Sequence, residues 1–154
     1  MKIMTDSPFP YFTLGTIVHG FGRGSKELGC PTANFDEDAV QKLPPSIHQG
    51  VYYGWAKLLT QNDNEVYKTV ASVGTNPFYN GERKTMEAHI IHSFPADFYG
   101  ETVKILLLGE IRKMTTFKDT NELAAAIQND ISTASDRLDT DECRQYLNHS
   151  FFKQ

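Results

Sequence analysis

From residue 12 to about residue 112 the chain is one short strand-like segment after another, punctuated by glycine and proline. The segments are Phe12–Val18, Gly50–Leu59, Val66–Val73, Thr85–His92 and Glu101–Ile111. In the third, Tyr67, Thr69, Ala71 and Val73 fall on one face and Lys68 and Ser72 on the other. In the fifth, Val103, Ile105 and Leu107 alternate against Lys104. That two-residue period is the signature of a pleated strand with one buried side. Asn62-Asp63-Asn64 and Asn80-Gly81 mark turns between neighbours. Strands joined without long helices form an antiparallel sheet, and closing it into a barrel removes its edges.

The helical period arrives late. Leu123, Ile127, Ile131, Ala134 and Leu138 recur at helical spacing, with Asp119 and Glu122 placed as N-cap and capping-box pair. The spacing predicts a helix lying on the barrel by that apolar stripe, and a second short helix around Asp141–Asn148. Pro8 and Pro10 obstruct regular structure, so residues 1–10 read as a flexible arm on a single domain spanning 1–154.

Composition narrows the classes. A chain of 154 residues is long enough for one proper core, and 40% hydrophobic with 22% charged residues is ordinary for a globular protein. A net charge of −4 argues against a bulk nucleic-acid binder. There is no apolar run of transmembrane length and no secretory leader pattern. Two distant cysteines, Cys30 and Cys143, make neither a disulfide framework nor a zinc finger. A cytoplasmic location is the expectation.

Chemistry concentrates in Gly20-Phe21-Gly22-Arg23-Gly24-Ser25-Lys26 and Gly29-Cys30-Pro31-Thr32-Ala33-Asn34. Glycines at 20, 22 and 24 expose backbone N–H groups to phosphate oxygens, and Lys26 adds charge. Thr32 and Asn34 supply a hydroxyl and an amide oxygen, hard donors suited to Mg²⁺. Both familiar templates fail. A P-loop needs Ser or Thr after Gly-Lys, where this chain has Gly24-Ser25-Lys26-Glu27. A dinucleotide fingerprint needs a sixth-position glycine and a following helix, and Pro31 leaves no room for one. The glycine-rich segment is either a barrel loop that holds phosphate through amides and Lys26, or a surface turn with solvated cations; Pro31-Thr32-Ala33-Asn34, taken alone, reads as a strand entry.

Glu87 shares a strand face with His89 and Ile91, opposite Met86, Ala88, Ile90 and His92. Two readings stand: a general base at the barrel mouth, or a solvated outward residue. His89 and His92 lie on opposite faces, which argues against chelation by the pair. Arg112 and Phe117, with Thr115 and Thr116 between, can clamp a planar ligand or remain a plain surface loop. Trp55 reads as packing.

Taken in order, these motifs resemble the riboflavin kinase (flavokinase) family, in its monofunctional eukaryotic type. The resemblance rests on Gly20–Lys26, Gly29–Asn34, Gly50-Val51-Tyr52-Tyr53-Gly54, Ser72–Tyr79, Met86–Ile90, Asp97–Gly100, Arg112, Phe117 and Asp130-Ile131. It implies an all-β fold: a six-stranded antiparallel Greek-key barrel with a C-terminal helix packed outside. It implies transfer of the γ-phosphate of ATP to the ribityl 5′-hydroxyl of riboflavin, giving FMN and ADP. Glu87 matches the base. Gly20, Gly22, Gly24 and Lys26 match the phosphate loop, Thr32 and Asn34 the metal and phosphate pair. Ile90, His92 and Tyr99 match the adenine side, and Arg112, Thr115 and Phe117 the flavin loop. The implied cation is Mg²⁺, with Mn²⁺ or Zn²⁺ as alternatives. One departure is Met114, where the family often carries an acidic residue. There is no room for an adenylyltransferase domain, so the expected product is FMN, made by a monomer with no membrane or nucleic-acid partner. The rival classes are a non-catalytic flavin-binding barrel and a barrel for single-stranded nucleic acid.

Overall fold

The structure is a computed structural model and describes residues 9–18, 32–44, 46–59, 65–75, 84–91, 102–114 and 117–153. The strands are β1 (Tyr11–Val18), β2 (Thr32–Phe35), β3 (Gly50–Leu58), β4 (Tyr67–Thr75), β5 (Lys84–Ile90) and β6 (Thr102–Arg112). The helices are α1 (Glu37–Gln41), α2 (Thr120–Leu138) and α3 (Asp141–Arg144), and 3₁₀ turns follow at Gln145–Asn148 and Ser150–Lys153. The six strands close into an antiparallel barrel in the order β1-β2-β5-β4-β3-β6. The hairpins β3-β4-β5 are followed spatially by β2, the Greek-key connection.

Alternation sorts the strands' side chains into two cores. Ile17, Phe35, Tyr52, Ala56, Ala71, Val73, Met86, Ala88, Ile90, Val103, Ile105 and Leu107 fill the interior. Val51, Trp55, Val70 and Leu106 point outward and meet Ala134, Leu138, Cys143 and Phe152. β3 is therefore covered on both faces, which explains its unbroken apolar run. Trp55 does serve packing: it is buried, and its Nε1 donates to the Cys143 carbonyl at 3.0 Å.

The outer wall also explains a residue that alternation alone misplaces. Lys104 faces outward yet is 4% exposed, because its Nζ donates to the Phe151 carbonyl at 2.6 Å under the C-terminal tail. Lys57 does the same to the Phe152 carbonyl at 2.7 Å. At Gly54, β3 approaches β6 so closely that a Cβ would lie 1.8 Å from the Leu106 carbonyl oxygen. Only glycine fits there.

α2 begins as its sequence predicts, with Asp119 accepting from the Glu122 N–H at 2.8 Å. The return leg differs from a standard capping box: Glu122 Oε1 accepts from Lys118 N–H at 3.4 Å, one residue upstream of the cap. The expected arm is also shorter at its inner end, since Phe9 packs on the interior cluster with its ring 5.8 Å from that of Tyr52. The predicted turns at Asn62–Asn64 and Asn80-Gly81, and Cys30, lie outside the described residues.

Candidate active site

One row of outward positions runs around the barrel wall and collects the residues singled out by sequence. Val18 pairs with Asn34, Asn34 with Glu87, Glu87 with Ser72, Ser72 with Val51, and Val51 with Arg112. Neighbouring strands lie about 4.8 Å apart. Asn34 and Glu87 are thus directly opposed, one spacing apart. Arg112 stands three spacings beyond Glu87, about 14 Å around the wall. The row below it pairs Thr32 with His89, His89 with Val70, and Val70 with Tyr53.

Glu87 faces outward, away from the interior held by Met86, Ala88 and Ile90. The mouth-facing alternative is thereby replaced, but so is the fully solvated one: Glu87, Asn34 and Ser72 are half-buried. Ile90, expected on the adenine side, is 3% exposed in the barrel interior, so its side chain belongs to the core. The alternation that turns Glu87 outward turns Ile90 inward.

Arg112 owes its direction to an irregularity. The β3–β6 register slips between Val51 and Tyr52, so Tyr52 opposes Glu110 while Val51 opposes Arg112. The extra residue, Ile111, bends β6 and aims the guanidinium at α2. There Nε and Nη2 of Arg112 each donate to Asp130, to Oδ1 and Oδ2, at 2.8 Å. The pair is bidentate and planar, and the Asp130 side chain is only 4% exposed. The Arg112 guanidinium also lies 5.6 Å from the centre of the Phe117 ring. Arg112 ends β6 instead of lying in the loop after it.

Two contributors were not assigned roles from sequence. Asp130 sits on the buried side of α2, three residues after Ile127 and four before Ala134. A carboxylate at a core position of an amphipathic stripe is a legible signal of a buried partner. His89 is the second. Burial pushes its imidazole down to about 4, opposed by the attraction of Asp130, so it is neutral at physiological pH. Its Nδ1 is buried without a hydrogen-bond partner among the described residues.

Among the described residues no group of three His, Cys, Asp or Glu forms a metal cluster. The oxygen donors on the β2–β5 wall instead suit a hard cation that keeps waters and binds substrate phosphates. The residues present fit such an ion. A cavity of about 400 Å³ lies elsewhere, between Phe9, Tyr53, Arg137 and Tyr146. Gly20, Gly22, Gly24, Lys26, His92, Tyr99 and Thr115 lie outside the described residues.

Comparison with known proteins points one way. The family model for riboflavin kinase matches residues 7–138. Human riboflavin kinase is 45% identical over 144 residues, covering 94% of this chain and 91% of that protein. A bifunctional riboflavin kinase/FMN phosphatase from Arabidopsis thaliana is 41% identical over 130 residues, covering 84% of this chain and 34% of that protein. The crystal structure of riboflavin kinase from Trypanosoma brucei superposes with a TM-score of 0.72 at 32% identity, covering 93% of this chain and 86% of that one. With barrel and relatives in agreement, the chain belongs to the riboflavin kinase family.

Proposed function

We propose that the outer row of the barrel is a phosphoryl-transfer site with Asn34 and Glu87 at the reacting end and Arg112 and Phe117 at the acceptor's ring. The chain is an ATP:riboflavin 5′-phosphotransferase, making FMN and ADP. The observation that carries the residue assignment is the row itself: a carboxylate beside an amide oxygen, with a guanidinium–aromatic clamp three strands away. Riboflavin matches that layout, with a hydroxyl at the end of a ribityl chain and a planar ring system at the other.

In the transfer, the ribityl 5′-oxygen forms a bond to the γ-phosphorus as the bond to the β-bridging oxygen breaks and ADP leaves. Glu87 orients the hydroxyl and receives its proton. Because such transition states are loose, holding the oxygen in line contributes more than early proton removal. Lys26 and the amides of Gly20, Gly22 and Gly24 hold the phosphates. Thr32 and Asn34 hold the cation, assigned as Mg²⁺, which neutralises charge on the phosphate oxygens when bound. His92, Tyr99 and the main chain of Ile90 face the adenine, while Thr115 joins Arg112 and Phe117 at the flavin. A non-catalytic flavin carrier has no use for the Asn34–Glu87 pair.

We also place the protein in the cytoplasm as a monomer. Cys143 is a buried free thiol, which suits a reducing compartment. No described helix is long and apolar enough to cross a membrane. Incubation with riboflavin, ATP and Mg²⁺, with chromatography for FMN, tests the activity, and riboflavin returned unchanged refutes it. Lys26→Ala is expected to weaken ATP binding in a salt-dependent way, measured by titration calorimetry at two ionic strengths.

A further inference from the structure

Where β3 begins and β6 ends, two side chains face each other that the transfer reaction does not use. His48, just ahead of β3, places Nε2 3.6 Å from Glu110 Oε1. The other ring nitrogen settles the tautomer. Nδ1 lies 2.9 Å from the Gln49 carbonyl oxygen, which can only accept, so Nδ1 carries the proton. Nε2 of the neutral ring therefore turns a lone pair toward a carboxylate. Their separation is too long for a hydrogen bond.

The carboxylate is also short of a partner. Glu110 Oε2 is buried with no hydrogen-bond partner among the described residues. Two donors at this end of the barrel are committed elsewhere. Burial, with the Glu110 charge adding to it, pushes the Tyr52 phenol up to about 12, and its O–H donates to the His48 carbonyl. Lys84 Nζ donates to the Ile47 carbonyl at 3.0 Å. The backbone makes room for the carboxylate as well: a Cβ on Gly50 would lie 2.5 Å from Oε2.

Two acceptors held face to face are what a cation between them requires. Zinc bound to a nitrogen at about 2.05 Å and an oxygen at about 2.1 Å, at the tetrahedral angle, sets those atoms about 3.4 Å apart. His48 and Glu110 stand close to that spacing. An Nδ1–H given to a backbone carbonyl is also how zinc-bound histidines are oriented. The side chains are 48% and 27% exposed, so the ion reaches them from solvent and water completes its shell. A mixed imidazole and carboxylate set suits Zn²⁺, whereas Mg²⁺ prefers oxygen alone.

We propose that His48 and Glu110 form a two-residue Zn²⁺ site, separate from the cation of the nucleotide, that ties the segment before β3 to the end of β6. The test is calorimetric titration of the full chain with Zn²⁺ in excess Mg²⁺, which keeps hard oxygen sites occupied. Wild type is compared with His48→Gln, Glu110→Gln and the double variant, with circular dichroism as the check on folding. Thiol binding is common to all four and cancels in the comparison. Each single variant should lose Zn²⁺ affinity at least tenfold, and the double variant should lose no more than either. Zn²⁺ should raise the melting temperature of the wild type and not of the variants. Should Glu110→Gln not fold, His48→Gln, on the more exposed partner, still decides the matter. Equal Zn²⁺ affinity in wild type and His48→Gln, or losses that multiply in the double variant, overturn the shared site. Absence of Zn²⁺ uptake by the wild type overturns it too, leaving a protonated His48 paired with Glu110.

Discussion

The two ends of the candidate site are built on different principles. At the β2–β5 end, Asn34 meets Glu87 because two strands pair in that register. No long side chain has to be held in place. At the β6–α2 end, Arg112 depends on a bulge in β6, a bidentate ion pair to Asp130 and the Phe117 ring. The first end is fixed by backbone, and slipping it by one residue would send Glu87 into the core. The second is a chain of side-chain contacts between separate elements, each open to change one at a time. The proposed assignment puts chemistry on the rigid end and recognition of the acceptor on the adjustable one.

That contrast predicts how each end fails, and Glu87→Gln should fail most completely. The amide keeps size and hydrogen-bonding reach but accepts no proton, so kcat should fall about 10²–10⁴-fold with ATP and riboflavin affinity nearly unchanged. Steady-state turnover together with binding titrations checks this. Turnover near the wild-type rate would move the chemistry away from the backbone-fixed end.

Asp130→Ala should come next, and should act on binding. It leaves the Arg112 guanidinium without its partner beneath α2, where Arg112 is 26% exposed. Breaking a fully buried pair costs about 3–5 kcal/mol, and partial exposure reduces that to roughly 2 kcal/mol. Riboflavin affinity should drop by about tenfold or more and the melting temperature should fall, with MgADP affinity retained. Flavin fluorescence quenching and thermal melts measure both. A matching loss of MgADP affinity would mean that the two ends are one mechanical unit.

The same contrast governs what could be read from sequence. β4, β5 and β6 announce themselves by alternation, which groups Glu87 with His89 and sets Lys104 against its apolar neighbours, but which of the two faces of β5 looks outward came only from the closed barrel. β2 is fainter: Pro31–Asn34 reads as a strand entry, but with four residues behind a proline Thr32–Phe35 shows no alternation of its own, and its place comes from pairing with β1 and β5. α1, five residues long, is equally below the length at which helical period can be seen. The order β1-β2-β5-β4-β3-β6 is non-local; family resemblance supplied the six-stranded Greek-key barrel but not this order. At the site, Asn34 and Glu87 could be named but their opposition could not, since register lies between strands. The Arg112–Asp130 pair joins residues 18 apart through a bulge that leaves no mark in composition. Asp130 could have been flagged by its place in the apolar stripe of α2, though not its partner.

Arg112→Lys tests the adjustable end more gently. Lysine retains the charge but loses the planar fork that gives Asp130 two parallel hydrogen bonds. Riboflavin affinity should fall about threefold to tenfold, less than for Asp130→Ala, because no unpaired charge is left behind. An effect larger than that of Asp130→Ala would show that the guanidinium face touches the flavin directly and that Asp130 merely holds it.

Phe117→Leu should give the smallest change and the sharpest distinction. The ring lies 5.6 Å from the Arg112 guanidinium, a cation–π contact at a half-exposed site worth about 0.5–1 kcal/mol. Leucine keeps apolar area and removes the π face. If Phe117 only steadies Arg112, riboflavin affinity should fall about twofold to fivefold, and in an Arg112→Lys background Phe117→Leu should add almost nothing. If the ring instead stacks on the acceptor by itself, the losses of the two substitutions should multiply. The double-mutant cycle on riboflavin affinity decides between them, because coupling above about 0.5 kcal/mol marks side chains that act as one contact. Coupling at Arg112–Phe117 with none between Phe117 and Glu87 is what a backbone-fixed chemical end and a side-chain-built binding end require.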